Sequence, residues 1–317
     1  MTPMAGRFAP SPTGDLHLGN LRTALAAWFV ARSRRTAFVL RMEDLDRATS
    51  SPAHESAQQR DLAALGIDWD GDVVRQSERF DRYHAAIDEL TARGLTYPCF
   101  CSRREIREAA AAPHGAPLVY PGTCRGLSDT TRRTRAAERP AALRFRAAAE
   151  PIEFADGVAG RQVGRADDVV LRRNDGVPAY NIAVVVDDAA QGVDHVVRAD
   201  DLLASTPAQI ALHRALGLPE PDYVHVPLVV GRSGERLAKR DGAVTLTELA
   251  AVGVGVDAVR GALAASLGAV PPGAPVPADG LRSLAETLSP VALRSVGRSP
   301  VTLQRLAELG LGNVRQG

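Results

Sequence analysis

The amino-acid sequence predicts an α/β protein in which short apolar strands alternate with helices. A strand near Phe8 is followed by chain-breaking prolines and a glycine, and apolar residues then recur at helical spacing from Leu18 onward. The apolar segment 37–42 is predicted to be the next strand, and a helix follows with Ser51 as its cap and Pro52 at its first position. This order indicates an open α/β sheet, which binds ligands at the carboxyl ends of its strands.

The same alternation continues in the second half of the chain. The continuous apolar run 179–186 predicts a buried strand, and 195–197 and 225–230 predict two more. The segments 206–209 and 245–248 have the spacing of capping boxes that begin helices.

The middle of the chain has a different composition. A helix is predicted over 77–94, and a region rich in Pro, Gly and Arg follows it. This region is predicted to be an irregular, loop-rich insertion. Beyond the second half of the sheet, 270–277 is predicted to be a linker, and the tail from residue 281 is helical but weakly patterned.

Composition excludes several classes of protein. With 317 residues, 45% hydrophobic and 24% charged, the chain is typical of a soluble globular protein with room for two compact units. No apolar run is long enough to span a membrane and no signal peptide is apparent, so we expect a cytoplasmic location. A net charge of +1 argues against general coating of nucleic acid. A local basic face is still predicted, since ten arginines and four acidic residues lie between Cys99 and Arg146.

The chain contains a single lysine, Lys239, among 38 basic residues. Every other Lys or Arg position is occupied by arginine, so the lysine indicates a position at which a broad planar guanidinium could not replace the ammonium group. A compact ammonium on a flexible stem suits contact with a phosphate oxygen. Chance retention of one lysine is the alternative that this residue alone leaves open.

His17 and Gly19 lie at the predicted junction between the first strand and the first helix. Exposed backbone N–H groups and the positive end of the helix dipole at such a junction suit a phosphate group. His17 can donate a hydrogen bond to a phosphate oxygen, and Gly19 lets a flat ring approach the backbone closely. A turn histidine and a packing glycine are the alternative interpretation of this pair by itself.

Four stretches, in order, resemble class I aminoacyl-tRNA synthetases and most closely their glutamyl branch. They are Pro-Ser-Pro-Thr-Gly-x-Leu-His-Leu-Gly at 10–19, Arg-Met-Glu-Asp-Leu-Asp at 41–46, Val-Val-Arg-Ala-Asp-Asp-Leu-Leu-Ala-Ser-Thr at 196–206, and Arg-Leu-Ala-Lys-Arg-Asp-Gly-Ala at 236–243. The resemblance covers roughly residues 5 to 245. It departs from the family at Asn20, where histidine is usual, and at Arg236 and Ala238, where Lys and Ser are commoner.

The resemblance implies a Rossmann-like class I synthetase catalytic domain that activates glutamate with ATP and Mg²⁺. The carboxylate attacks the α-phosphate and pyrophosphate leaves, so positioning and charge stabilisation dominate the chemistry. Matching positions make His17, Gly19 and Lys239 the catalytic residues, with Asn20 also at the ATP.

The resemblance also implies a glutamate pocket. Two guanidinium groups converging on one ligand favour a side-chain carboxylate over a neutral amide, and hence glutamate over glutamine. The matching residues are Arg7, Ser11, Glu43, Tyr180 and Arg198.

Three cysteines, Cys99, Cys101 and Cys124, fall within 26 residues of one another. Their clustering favours a metal site, and zinc in proteins takes four ligands. His114 is the ordinary candidate for the fourth ligand, whereas the resemblance implies Tyr120, which we favour. Three reduced structural cysteines without metal are the remaining alternative.

The resemblance is strongest to the truncated glutamyl-Q tRNA(Asp) synthetases. Only 78 residues follow Lys239, which is too short for the anticodon-binding domain of full-length glutamyl synthetases. The truncated enzymes bind the anticodon stem-loop of tRNA(Asp) directly and esterify glutamate to queuosine. Two alternatives stay open: a tRNA-charging glutamyl synthetase lacking its anticodon domain, and a non-catalytic zinc-bearing RNA-binding paralogue. The expected regions are halves of the catalytic domain at 1–95 and 186–230, a zinc-bearing insertion at 96–185, and the Lys239 loop with a helical stem-contact region at 231–317.

Overall fold

The first half of the chain forms the parallel sheet and helices that the sequence predicts. The computed structural model describes residues 4–110, 119–231, 244–287 and 299–311. Three parallel strands lie in the order β1–β2–β3, with each crossover made by a helix. The elements are β1 (Ala5–Phe8), α1 (Leu18–Ser33), β2 (Ala37–Met42), α2 (Pro52–Ala64) and β3 (Val74–Arg75).

A second group of strands continues this sheet. Ala5 of β1 bridges Val193 in parallel, just before β9 (His195–Ala199). Beyond β9 the order is β10 (Asp222–Val226), β6 (Ile152–Asp156) and β7 (Gly160–Gly164). The two halves therefore meet along β1 and β9. The elements of this half are α6 (Tyr180–Ala190), β9 (His195–Ala199), a 3₁₀ turn (Asp200–Ser205), α7 (Thr206–Ala215), β10 (Asp222–Val226) and β11 (Val229–Val230).

The region between the halves is more regular than the sequence predicts. Strands β4, β5 and β8 form an antiparallel sheet of their own, whereas β6 pairs in parallel with β10 and brings β7 with it. The hairpin β6–β7 therefore extends the main sheet. The elements are a 3₁₀ turn (Gln76–Glu78), α3 (Phe80–Ala92), β4 (Thr96–Cys99), α4 (Arg103–Ala110), α5 (Asp129–Glu138), β5 (Ala142–Phe145), β6 (Ile152–Asp156), β7 (Gly160–Gly164) and β8 (Val170–Arg172).

The strand predicted over 179–186 is wrong, because this segment lies in helix α6. A short, fully buried apolar run cannot be assigned to helix or strand by periodicity alone. The helix continues through Asp187 and Asp188, which are buried among arginines.

Two smaller predictions also need correction. Helix α7 begins at Thr206 with Ser205 as its cap, and no side chain caps it, so the predicted capping box at 206–209 does not form. The strand predicted over 225–230 is divided in two around Pro227, which has no N–H for a strand ladder. The capping box of Thr245 and Glu248 is confirmed.

The C-terminal elements pack on helix α1, which is buried on nearly all sides. Two buried arginines tie the C-terminal elements to the first half of the chain. Arg22 of α1 donates to Pro227 O at 2.8 Å and to Ser266 Oγ at 2.9 Å, and Arg260 donates to Leu65 O at 2.7 Å. The elements are α8 (Leu246–Ala251), α9 (Val256–Ser266), α10 (Ala278–Thr287), β12 (Val301–Thr302), α11 (Leu303–Leu306) and a final turn (Ala307–Leu311). Within the described ranges, no helix combines the length and apolar character needed to span a membrane.

Gly261 in α9 gives a test of this packing. A Cβ at Gly261 would lie 2.3 Å from Ala274 O, whereas a Cβ at Gly280 in α10 would meet only Pro277 side-chain atoms at 3.4 Å or more. Helix propensity alone predicts that alanine stabilises both sites by about 0.5–1 kcal/mol. We expect Gly280→Ala to do so and Gly261→Ala to lower the free energy of unfolding by about 1–3 kcal/mol through overpacking. Urea denaturation measures both, and a gain in stability for Gly261→Ala would contradict the packing.

Candidate active site

One cavity of about 760 Å³ lies at the carboxyl ends of β1, β2 and β9. This is the edge at which open α/β sheets bind ligands. Every residue that the sequence assigns to the active site and that the structure describes lines this cavity. These residues are Arg7, Ser11, His17, Gly19, Asn20, Glu43, Tyr180 and Arg198. Lys239 lies outside the described residues.

His17 caps helix α1 at the mouth of the cavity. Its Nδ1 accepts hydrogen bonds from the backbone N–H groups of Gly19 at 3.1 Å and Asn20 at 3.3 Å. Asn20 Oδ1 accepts from His17 N at 3.3 Å, which completes a capping box. Because Nδ1 accepts, the neutral imidazole carries its proton on Nε2, where it can act as a donor. Gly19 is required here, since a Cβ would lie 2.9 Å from His17 Cε1.

Arg7 and Arg198 enter the cavity with different electrostatic partners. Arg7 Nε lies 3.3 Å from Asp188 Oδ1, so this buried charge is compensated. Arg198 is 4% exposed and donates to neutral acceptors, among them His225 Nε2 at 3.0 Å and Gln209 Oε1 at 2.7 Å. Across the described ranges, no carboxylate forms an ion pair with Arg198. A buried cation with only neutral partners is costly, and an anionic ligand would compensate it.

Glu43 faces the cavity from the end of β2. Burial raises the pKa of its carboxyl to about 7, against the opposing influence of Arg41 and Arg7. The Arg41 guanidinium is fully buried, with Nη1 2.8 Å from Asp188 Oδ1 and Nη2 3.7 Å from Glu43 Oε1. A carboxylate held in this way can accept a hydrogen bond from a ligand ammonium group.

Sequence reasoning missed Arg41, Asp187 and Asp188 as members of the site. Asp187 accepts from Tyr83 Oη at 2.6 Å and from Arg79 Nε at 2.7 Å, so it ties α6 to α3. The sequence did contain a signal, because Asp187 and Asp188 directly follow the apolar run of α6. Aspartates are seldom fully buried unless they are paired with a cation, so their position predicts buried partners.

Tyr180 is the first residue of α6 and lines the same cavity. Burial, followed by the charge of Glu43, raises the pKa of its hydroxyl. The phenol therefore stays protonated and available as a hydrogen-bond donor.

The three cysteines meet in a second cluster, away from the cavity. The Sγ atoms of Cys99, Cys101 and Cys124 lie within 4.8 Å of one another and could hold a metal ion. Tyr120 Oη lies 3.3 Å from Cys99 Sγ and 3.7 Å from Cys101 Sγ, and the guanidinium of Arg144 stacks on its ring at 3.7 Å. Three thiols and one phenol oxygen thus converge on one point. His114 lies outside the described residues.

Sequence comparison identifies the family to which this fold belongs. The family model of the catalytic domain of class I tRNA synthetases (E and Q) matches residues 3–264. The chain belongs to this family.

Its curated relatives are more specific. The chain is 60% identical over 268 residues to glutamyl-Q tRNA(Asp) synthetase of Nocardia farcinica, covering 84% of this chain and 86% of that protein. It is 53% identical over 267 residues to the protein of the same name from Cutibacterium acnes, covering 83% and 76%. A glutamate tRNA ligase from Elizabethkingia meningosepticum, solved in complex with its amino acid, superposes with a TM-score of 0.77 over 98% of this chain and 69% of that chain. Its identity is 24%, so this likeness shows the fold alone.

The pKa of Glu43 leads to a test of stability. A carboxyl whose pKa rises on folding from its ordinary 4.5 to about 7 binds its proton more tightly in the folded chain. The free energy of unfolding therefore falls as pH rises through that window. Glutamine does not titrate, so we expect Glu43→Gln to stabilise the chain by about 1–3 kcal/mol at pH 8. This gain should disappear below pH 4.5.

Urea denaturation at both pH values checks this expectation. Glu89→Gln, at an exposed position on α3, is the matched control. A Glu43→Gln chain that is less stable than the parent at pH 8 would contradict the raised pKa of the Glu43 carboxyl.

Proposed function

We propose that this chain is a glutamyl-Q tRNA(Asp) synthetase, which activates glutamate with ATP and transfers it to queuosine in the anticodon of tRNA(Asp). The observation that carries the amino-acid assignment is Arg198, a buried cation with neutral partners that faces a cavity containing Glu43. The nucleic-acid assignment is supported by the two relatives of that name at 60% and 53% identity.

In this proposal the ligand glutamate is held at both of its charged ends. Glu43 accepts hydrogen bonds from the α-ammonium group, and Arg198 pairs with the side-chain carboxylate. Tyr180 and Ser11, which line the same cavity, donate their hydroxyl hydrogens to the ligand's oxygens. Arg7 adds positive charge but is already paired with Asp188. A neutral amide in place of the carboxylate would leave Arg198 uncompensated, so glutamate is preferred to glutamine.

ATP binds at the N-terminus of α1. The Nε2–H of His17 approaches the phosphates, supported by the positive end of the helix dipole, and the N–H groups of Gly19 and Asn20 fix the orientation of His17. Lys239 is assigned to the same phosphates from the sequence. The segment that carries it rejoins the described chain at Val244, whose carbonyl accepts from Leu18 N at 2.9 Å, next to His17. Mg²⁺ accompanies the ATP, held mainly by phosphates and water.

The cysteine cluster binds one zinc ion per chain through Cys99, Cys101, Tyr120 and Cys124. Metal analysis of the purified protein should give a ratio near one, and Cys124→Ser should lower it strongly because thiolates dominate zinc affinity. Tyr120→Phe removes the proposed fourth ligand, whereas His114→Ala removes the competing candidate. Loss of metal from His114→Ala alone would assign the fourth position to the histidine.

Helix α5 is the proposed contact with the anticodon stem-loop. None of its residues is buried, and it presents Arg132, Arg133 and Arg135 beside the cysteine cluster. Arg135 Nη1 lies 3.7 Å from Cys124 Sγ, so the cluster holds one end of this basic surface. Arginine side chains on such a surface bind phosphate groups and position the nucleic acid.

The acceptor nucleotide decides between this function and ordinary tRNA charging. We expect glutamate to be attached to the cyclopentene diol of queuosine, so tRNA(Asp) without its 3′-terminal adenosine should still accept labelled glutamate. The same tRNA with unmodified guanosine in the anticodon should not accept it. Charging of tRNA(Glu) that depends on the terminal adenosine would instead identify a tRNA-charging glutamyl synthetase.

A further inference from the structure

On the side away from the cavity, Arg198 is hydrogen-bonded to His225, which in turn contacts Asp156, and neither of these two residues lines the cavity. Arg198 Nε donates to His225 Nε2 at 3.0 Å, and His225 Nδ1 lies 2.6 Å from Asp156 Oδ2. The side chains of His225 and Asp156 are completely buried. The three side chains form one continuous chain of hydrogen bonds, from β6 through β10 to β9.

The surrounding hydrogen bonds define the protonation of His225. Asp156 Oδ1 accepts from the N–H groups of Val158 at 2.9 Å and Ala159 at 2.7 Å, whereas Oδ2 lies 3.1 Å from the backbone N of His225 and 2.6 Å from its Nδ1. Burial lowers the pKa of His225, with the charge of Arg198 acting in the same direction. The hydrogen bond with Asp156 opposes this shift. Because a guanidinium can only donate, Nε2 must accept from Arg198, so the ring is neutral with its proton on Nδ1 facing Asp156.

We propose that Asp156 and His225 are positioning residues for the glutamate pocket: Asp156 selects the histidine tautomer whose Nε2 accepts from Arg198 and thereby orients the guanidinium. This inference rests on the proposed function, since it concerns the residue assigned to the ligand's side-chain carboxylate. A neutral acceptor orients Arg198 without neutralising it, so its positive charge remains for the ligand. A carboxylate at the position of His225 would orient the guanidinium equally well but would compensate its charge.

The sheet places Asp156 where it can act in this way. Asp156 ends β6, and it pairs in register with Tyr223 of β10, two residues before His225. The Tyr223 ring stacks on the His225 ring, with 12° between planes and 6.1 Å between centroids. The pairing of hairpin β6–β7 with the main sheet thus brings the Asp156 carboxylate into contact with His225, and through it affects Arg198 in the proposed glutamate pocket.

Asp156→Asn tests the tautomer. The N–H groups of Val158 and Ala159 hold the amide oxygen at the position of Oδ1, where the backbone N–H of His225 also finds an acceptor at 3.3 Å. The NH₂ group therefore replaces Oδ2 and donates to His225 Nδ1. The imidazole proton then moves to Nε2, which faces the Nε–H of Arg198 as a second donor. We expect the glutamate KM in ATP–pyrophosphate exchange to rise roughly 10- to 100-fold, the range for a lost hydrogen bond to a charged group. The exchange rate at saturating glutamate should change by less than about threefold, as for loss of ground-state binding.

Imidazole ¹⁵N chemical shifts give a readout that a merely structural role would not change. The His225 signal, assigned by its absence in His225→Gln, should show a protonated Nδ1 in the parent chain and a protonated Nε2 in Asp156→Asn. This measurement does not depend on catalysis. An unchanged tautomer together with an unchanged glutamate KM would overturn the inference.

Two further variants isolate the acceptor if Asp156→Asn does not fold. His225→Gln keeps an oxygen able to accept from Arg198, and His225→Leu does not, while both lose the bond to Asp156. We expect the KM of the leucine variant to exceed that of the glutamine variant by about tenfold. Equal values would overturn the inference.

Asp194→Asn is the matched control. Asp194 Oδ1 lies 2.7 Å from His195 Nδ1, and this second Asp–His pair does not contact Arg198. The glutamate KM of the Asp194→Asn variant should therefore equal that of the parent chain. If the parent chain shows no glutamate-dependent exchange, the proposed function fails, whereas the tautomer measurement still decides whether Asp156 orients His225. If the parent is active and the KM of Asp156→Asn equals that of Asp194→Asn, only the positioning role fails.

Discussion

The carboxylate of Asp188 is the interaction on which the arrangement of the cavity depends. Its Oδ1 lies 3.3 Å from Arg7 Nε and 2.8 Å from Arg41 Nη1, so helix α6 holds the side chains of two neighbouring strands. Buried charges are tolerated when they are paired and hydrogen-bonded, and removal of one partner leaves the other uncompensated. The relative positions of α6, β1 and β2 are therefore constrained by electrostatics as well as by packing.

Arg198 differs from this pattern because its partners are neutral. The same low-dielectric surroundings that strengthen the pairs around Asp188 make its positive charge costly without a ligand. An anionic ligand is favoured at this position because it compensates the charge of Arg198. A neutral ligand of the same shape is disfavoured because it leaves that charge uncompensated. The proposed preference for an acid over its amide then depends on the uncharged acceptors around Arg198, namely Gln209 Oε1 at 2.7 Å, Thr206 Oγ1 at 2.9 Å and His225 Nε2 at 3.0 Å.

Much of the first half of the sheet and most of the cavity could be predicted from the sequence. Strand β1, helix α1 and strand β2 have local signals, and the cavity residues lie near their ends or in short motifs. The charged residues behind the cavity have no such signal, because Arg7 and Asp188 are separated by 181 positions. The apolar run of α6 predicts a strand rather than a helix because it is short and continuous. The placement of Lys239 is outside the described residues, so its role stays a prediction.

The capping box predicted at the start of α7 failed for a reason connected with function. Thr206 and Gln209 have the spacing of a box, yet Thr206 Oγ1 accepts from Arg198 Nη2 at 2.9 Å and Gln209 Oε1 accepts from Nη1. Both side chains face a buried guanidinium whose other acceptors, His225 Nε2 and Leu202 O, are also uncharged. A hydrogen bond to a charged group is stronger than one to a backbone amide. Natural sequences depart from local rules mainly at functional sites. The helix start without a side-chain cap is therefore explained by Arg198, the residue proposed to hold the ligand's carboxylate, because it takes both side chains that would have formed the capping box.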